Sequence, residues 1–312
     1  MRPLTSAEIE GTWATVLTPF DQDDALNEAA LDRQLDLIID ASPSGMYTHG
    51  TAGEFFNQTD SEWLTVVSRV ATRSEAASLP FQVGASHPSP VVALERIRLA
   101  GHLNPSAIQV ILPDWLPLSR DETRSVLERY SAAAGDVGLV LYNPPHAKNV
   151  LLPDELDALT DEFSSIVGLK VADGDADWYE SMATIMQRVS VFVPGHHLAT
   201  GLAKGAKGAY SNVACLHPAG AVEWARRSMS EAAWGLDVEK QIAAFLDTAI
   251  APLVAKRYSN VTLDKALAAA GGHLGDVGHV RWPHVTASDA EVAHIRDSAT
   301  TMLPAFLRPA AG

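Results

Sequence analysis

Short apolar runs alternate with amphipathic helical stretches through most of this 312-residue chain, with no obvious domain break. The runs are Thr12–Thr18, Gly45–Gly50, Phe81–Ser86, Ala107–Pro113, Gly138–Asn143, Ile166–Ala172, Ser190–Pro194 and Gly208–Val213. Between them the spacing predicts helices over Leu26–Ala41, Ser61–Ser74, Val91–Ala100, Arg120–Ala134, Pro153–Glu162, Asp177–Arg188 and Leu198–Lys204. Repeats of roughly 25–40 residues suit right-handed βαβ crossovers. Eight such units predict an α/β fold, a closed (β/α)8 TIM barrel. An open doubly wound sheet would read alike through its first five strands. No G-x-G-x-x-G follows the first strand and no G-x-x-x-x-G-K-[ST] occurs anywhere, so the nucleotide-binding open sheets lose their best support.

The chain beyond Val213 is longer than one closing helix needs. Ala219–Met229, Glu231–Ala251, Thr262–Ala270 and Ala287–Leu307 read as helices, the first closing the barrel and the rest forming a C-terminal helical cap. The expected division is a barrel over 11–225 and a cap over 226–308. Gly271–Gly278 reads as a flexible loop within the cap, and the tail 309–312 as disordered. A chain of this size buries roughly 75% of its unfolded surface and needs neither disulfide nor metal to fold.

Composition narrows the partners. The net charge of −15 disfavours binding to a phosphate backbone, although a pocket can be locally positive inside an acidic protein. The single cysteine, Cys215, allows no internal disulfide, which fits a reducing compartment. The first residues have no apolar h-region and no apolar run approaches a membrane span. The expectation is a cytoplasmic protein, with neither nucleic acid nor membrane as partner.

Lys170 interrupts the apolar run Ile166–Ala172. A buried ammonium is costly, and a lysine so placed tends to lose its proton. The neutral amine can then attack a carbonyl carbon to give a Schiff base. The plainer reading is a strand-end lysine that snorkels to solvent or pairs with Asp173 or Asp175. The other polar residues at strand ends weigh against it, because a barrel of this kind carries its chemistry there. Strand two ends in His49-Gly50-Thr51-Ala52-Gly53-Glu54, strand five in Tyr142-Asn143-Pro144-Pro145, strand seven in Gly195-His196-His197, and strand eight carries Ser211-Asn212. Backbone N–H groups of Gly50-Thr51-Ala52-Gly53, with the Thr51 hydroxyl, could cradle a carboxylate. An ordinary βα turn reads the same. Tyr142 could hold a proton near a reacting oxygen, or simply meet water at the rim. His196 and His197, on an extended segment, would face opposite ways, and Cys215 and His217 are too isolated for a zinc site. Amine, carboxylate cradle and tyrosine together make a site for a 2-oxo acid.

Three ordered stretches carry a family resemblance: Gly50-Thr51-Ala52-Gly53-Glu54, Tyr142-Asn143-Pro144-Pro145 and Gly168-Leu169-Lys170-Val171-Ala172-Asp173-Gly174-Asp175. Together with Thr18-Pro19-Phe20, Gly195 and Gly205–Ser211, the chain resembles the dihydrodipicolinate synthase / N-acetylneuraminate lyase family. The resemblance runs from about Gly11 to the barrel's end and more loosely into the cap. It implies a (β/α)8 barrel lyase of the class I aldolase and dehydratase kind, with no cofactor, no metal and a homotetrameric assembly. It implies Lys170 as the Schiff-base lysine and Tyr142 as the proton shuttle. Thr51 and the Ala52 backbone anchor the pyruvoyl carboxylate, and Gly195 and the main chain at Tyr210 line the opposite wall.

Departures from the synthase pattern shape the expected reaction. Ala52 replaces a second threonine, Ala147 the arginine that grips the semialdehyde carboxylate, and Trp115 the relay tyrosine; Lys148 beside Ala147 is a point charge without a guanidinium fork. The leading expectation is a lyase that cleaves a 2-oxo acid to pyruvate and an aldehyde, or dehydrates a 2-keto-3-deoxy sugar acid. Phe55, Phe56 and Trp115 could wall a distal pocket for an aromatic aldehyde. Alternatives are the synthase itself, a metal-dependent class II aldolase and a barrel that only binds a 2-oxo acid.

Overall fold

A computed structural model describes residues 1–308; the tail expected to be disordered lies outside them. Eight parallel strands close into a barrel in sequence order: β1 Gly11–Thr15, β2 Gly45–Tyr47, β3 Phe81–Gly84, β4 Ala107–Ile111, β5 Leu139–Asn143, β6 Ile166–Val171, β7 Ser190–Pro194 and β8 Gly208–Ser211. β8 pairs with β1, which removes the open-sheet alternative. Helices α1 Glu28–Asp40, α2 Asp60–Ala77, α3 Pro90–Gly101, α4 Arg120–Ala134, α5 Pro153–Glu162, α6 Ala176–Arg188 and α7 Leu198–Ala203 fill the crossovers. Several begin where a side chain satisfies a free N–H group. Thr59 with Glu62 opens α2 and Ser119 with Glu122 opens α4, each as a reciprocal capping box.

The period-two alternation of each strand divides the core in two. Leu139, Leu141, Leu169, Val171, Val191 and Val193 face outward and join the apolar layer under the helices. Trp13, Tyr47, Val140, Phe192 and Tyr210 face inward and form a separate cluster. Edge-on ring contacts, with Tyr47 to Tyr210 at 4.7 Å and Trp13 to Phe192 at 6.5 Å, fill the barrel and make a closed floor. Register sets Tyr142 beside Lys170, and Lys170 beside Phe192, at the level just above that floor.

Beyond β8 come α8 Val213–Leu216, α9 Pro218–Ser230, α10 Ala232–Ala249, α11 Ala251–Ala255, α12 Asn260–Gly271 and α13 Asp289–Met302. The strand expected to reach Val213 stops at Ser211, because the chain turns into α8. The expected division at 225–226 falls inside α9. The helix expected over Glu231–Ala251 is split at Ile250, with Pro252 opening α11. The cap folds over the C-terminal mouth of the barrel, with α12 against the short turn Thr51–Gly53. Its anchor is an ion pair of 2.5 Å between Lys265 and Glu54, both wholly buried, and Lys265 also donates to the His279 carbonyl at 2.6 Å. Arg281 adds a bond of 2.5 Å to Glu62 and another to the Asn57 carbonyl. Among the described residues no helix is long and apolar enough to cross a membrane.

Candidate active site

Between the barrel mouth and the cap lies a cavity of about 450 Å³. All six residues singled out from the sequence line it: Lys170, Tyr142, Thr51, Ala52, Gly195 and Tyr210. They come from β6, β5, the β2 turn and the ends of β7 and β8, so only closure of the barrel brings them together.

The Lys170 amine is caged by tyrosine rings. Its Nζ lies 4.3 Å from the ring centre of Tyr142, 4.8 Å from Tyr47 and 5.2 Å from Tyr210. Burial against them drives its pKa down to about 8, partly countered by the charge of Asp264. Neither Asp173 nor Asp175 pairs with it. Asp173 bonds His197 at 2.7 Å and the Tyr179 hydroxyl at 3.0 Å, and Asp175 caps α6 through the Trp178 N–H. The pairing expected of a merely structural lysine is therefore absent. Gly50 lets the amine sit there: a Cβ at that position would stand 2.7 Å from the Tyr47 ring and 3.4 Å from Nζ.

Thr51–Gly53 forms a single 3-10 turn. The turn uses the N–H groups of Gly53 and Glu54, each at 3.0 Å, so those of Thr51 and Ala52 are left for a ligand. Burial raises the Tyr142 phenol above its ordinary pKa, the Thr51 hydroxyl opposes this, and the Asp264 charge adds to it. Tyr47 and Tyr210 are differently occupied. Thr15 bonds the Tyr47 hydroxyl at 2.7 Å, and Tyr210 donates to Gln82 at 2.7 Å. Tyr142 has the Thr51 hydroxyl as its neighbour and lines the cavity.

Several expectations are corrected. His196 and His197 do not lie on extended backbone with opposed rings; Gly195–His197 is a 3-10 turn and the rings meet edge-on at 4.3 Å. His196 lines the cavity beside Asn212, with which it shares a bond of 3.1 Å. Burial and then the neighbouring His197 hold His196 below its ordinary pKa. His197 is raised by Asp173. None of Phe55, Phe56 and Trp115 lines the cavity. Phe55 is buried, Phe56 packs on His284, and Trp115 is 77% exposed beneath Lys148. His146 and Ala147 line a small separate pocket behind Tyr142. Among the described residues no three His, Cys, Asp or Glu side chains converge as a metal site.

Asp264 is the residue the sequence reading missed. It reaches the cavity from α12, and burial raises its carboxyl to about 7 against the pull of Lys170. A signal was present: Asp264-Lys265 are the charged pair in the apolar helix Asn260–Gly271, which buries most of its remaining side chains. Lys265 turns to Glu54 and Asp264 to Lys170.

Comparison with known proteins places this geometry. A family model described as the dihydrodipicolinate synthetase family matches residues 8–300. The 4-hydroxy-tetrahydrodipicolinate synthase of Methanothrix thermoacetophila is 28% identical over 303 residues, covering 94% of this chain and 96% of that one. Two solved structures share the fold. YagE of E. coli K12, a prophage protein solved in complex with pyruvate, superposes with a TM-score of 0.81 at 20% identity, over 94% of this chain and 98% of its own. The sialic acid aldolase of Ruminococcus gnavus superposes with a TM-score of 0.81 at 17% identity, over 96% of this chain and 98% of its own.

Proposed function

This chain belongs to the dihydrodipicolinate synthetase family and is a lyase-type enzyme of it, and we propose that it works through a Schiff base on Lys170, acting on a 2-oxo acid. The observation that carries the reading is the position of Lys170: an amine brought near neutrality by burial, caged by three tyrosines, at the floor of a cavity. Its lone pair attacks C2 of the acid. Thr51 and the Ala52 N–H take the C1 carboxylate, and Gly195 and Tyr210 bound the opposite wall. Tyr142 passes a proton to and from the C2 oxygen as the carbinolamine collapses to the imine. The protonated imine then accepts the electron pair when the C3–C4 bond breaks or a C3 proton leaves. Retro-aldol cleavage to pyruvate plus an aldehyde and dehydration of a 2-keto-3-deoxy acid share that electron sink.

The synthase reaction named for the Methanothrix relative is a weaker reading for this chain. The alanine in place of the gripping arginine, Ala147, lies in the side pocket, and Trp115 stands outside the cavity.

Incubation with pyruvate and borohydride tests the proposal. A reduced pyruvyl group should appear on the peptide that contains Lys170, and Lys170→Arg should fold but neither trap pyruvate nor turn over substrate. Unmodified protein, or label on another lysine, sinks the mechanism.

A further inference from the structure

We infer that Asp264 is the carboxyl that moves the proton at the C4 oxygen of the bound acid, and that the remote half of that acid is uncharged and apolar. The inference rests on the Schiff-base reading above and extends it to the part of the substrate that the barrel residues do not touch.

Both candidate reactions need a proton moved at C4–OH, on the side of the substrate away from the imine. The ionisable groups of the cavity leave few choices. Tyr47 and Tyr210 are bonded to Thr15 and Gln82, His196 to Asn212, and Tyr142 serves the imine side. Asp247 is exposed. Asp264 lines the same cavity, and no hydrogen bond to a protein group offsets its burial. It shares the cavity with Lys170, Tyr142 and Tyr47, and its charge acts on all three. An acid that lines the cavity without a protein partner is placed for a ligand there.

The step balances with this residue alone. With C2 held as a protonated imine, the Asp264 carboxylate takes the C4 hydroxyl proton. The O–H electron pair becomes the second bond of the departing aldehyde's carbonyl. The C3–C4 bond breaks, and its pair forms the C2–C3 double bond of a neutral enamine as the C2–N pair returns to nitrogen. Protonation at C3 and hydrolysis of the imine release pyruvate. In dehydration the Asp264 carboxylate first takes a C3 proton to give the enamine. The same carboxyl, protonated, then gives its proton to the C4 hydroxyl as the C4–O bond breaks and water leaves. A carboxyl that titrates near neutrality is available in either form.

The cap also supplies the remote wall. Leu246, Ile250, Ala251, Val254, Leu263 and Leu267 line it. Among the described residues no Lys or Arg other than Lys170 lines the cavity, so a second carboxylate there would meet Asp264 and Asp247 without a counter-charge. Asn260 and Asp247 interrupt that wall, but most of its lining would leave the hydroxyl groups of a polyol against aliphatic side chains.

The test uses 4-hydroxy-2-oxo-4-phenylbutanoate as probe, with pyruvate release followed through lactate dehydrogenase. The wild-type protein should cleave it, with kcat, which is read after Lys170 has become the imine, falling below about pH 7 as Asp264 protonates; Lys170, Tyr142, Tyr47, Cys215, His196 and Asp247 are the other ionisable groups around it. Asp264→Asn should lower kcat by roughly 10²–10⁴-fold and lose that acidic limb. Its pyruvate adduct on Lys170 should still be trapped by borohydride, because losing the carboxylate charge lowers the lysine's pKa further. Cleavage by Asp264→Asn within threefold of wild type overturns the proton-transfer role. Loss of trapping together with cleavage does the same, by making Asp264 a support for Lys170. A wild-type protein that traps pyruvate but leaves this probe intact overturns the apolar remote half, whether or not it cleaves 2-keto-3-deoxygluconate. Failure of the wild-type protein to trap pyruvate at all removes the Schiff-base reading instead.

Discussion

Lys170 and Tyr142 stand side by side in the β5–β6 register, and one physical cause acts on both: enclosure penalises charge. It lowers the lysine toward neutrality and raises the phenol away from ionisation. In the proposed mechanism the amine attacks only when neutral, so the rate of borohydride trapping should rise with pH and level off above about 8. A profile still climbing toward the ordinary lysine value would show that the enclosure does not act on the amine. The same depression has a consequence for folding. Between about 8 and 10.5 the unfolded chain binds a proton at Lys170 that the folded chain does not, so this residue makes stability rise with pH there. In the proposed mechanism Tyr142 serves the C2 oxygen. Tyr142→Phe should keep the fold and much of the pyruvate affinity while lowering kcat by roughly 10²–10⁴-fold. Steady-state kinetics with calorimetric pyruvate binding reads both, and full activity in the variant would move the proton to another group.

Elements matter through the way the cap meets the barrel. α12 carries two neighbouring charges in opposite duties: Lys265 holds the cap to Glu54, and Asp264 faces Lys170. Glu54 directly follows the Thr51–Gly53 turn, so the anchor of the cap also braces the carboxylate cradle. Lys265→Met should leave Glu54 buried without its partner and cost about 3–5 kcal/mol. Urea unfolding measures this. Joint replacement with Glu54→Leu should recover much of the loss, because breaking a buried pair costs more than removing both members. A single-variant loss under 1 kcal/mol would show that water reaches the pair and that it does not hold the cap.

At the scale of the whole molecule the charge distribution sets what the site accepts. The chain carries a net charge of −15, and among the described residues its cavity is lined by one Lys or Arg, Lys170, which the proposed Schiff base would consume. A second substrate bearing its own carboxylate meets acids at the cap and no guanidinium. Aspartate semialdehyde should therefore be a poor partner for pyruvate, with kcat/KM well below that for an uncharged aldehyde. Efficient dihydrodipicolinate formation in the coupled assay would show that the carboxylate finds a cation elsewhere.

The sequence by itself determined whatever depends on short-range periodicity. Eight short apolar runs, spaced by helical stretches, pointed to a parallel barrel, which the pairing of β8 with β1 then closed. Once the fold is a barrel, strand ends share one face, so Lys170, Tyr142, Thr51 and Ala52 could be grouped without coordinates, while the family resemblance added Gly195 and Tyr210. The tertiary structure alone decided what lies above that face. Trp115, Phe55 and Phe56 looked like pocket walls because they follow the right strands, but a loop's course depends on what packs against it, and these loops carry their rings elsewhere. His196 and His197 were misread because a backbone that turns after β7 brings together rings that extended backbone would separate. Asp264 lies far beyond Lys170 in the chain. Nothing local says which of two adjacent charges on α12 will enter the site; the docking of Lys265 onto Glu54 settles the helix's rotation, and Asp264 is carried into the cavity by it.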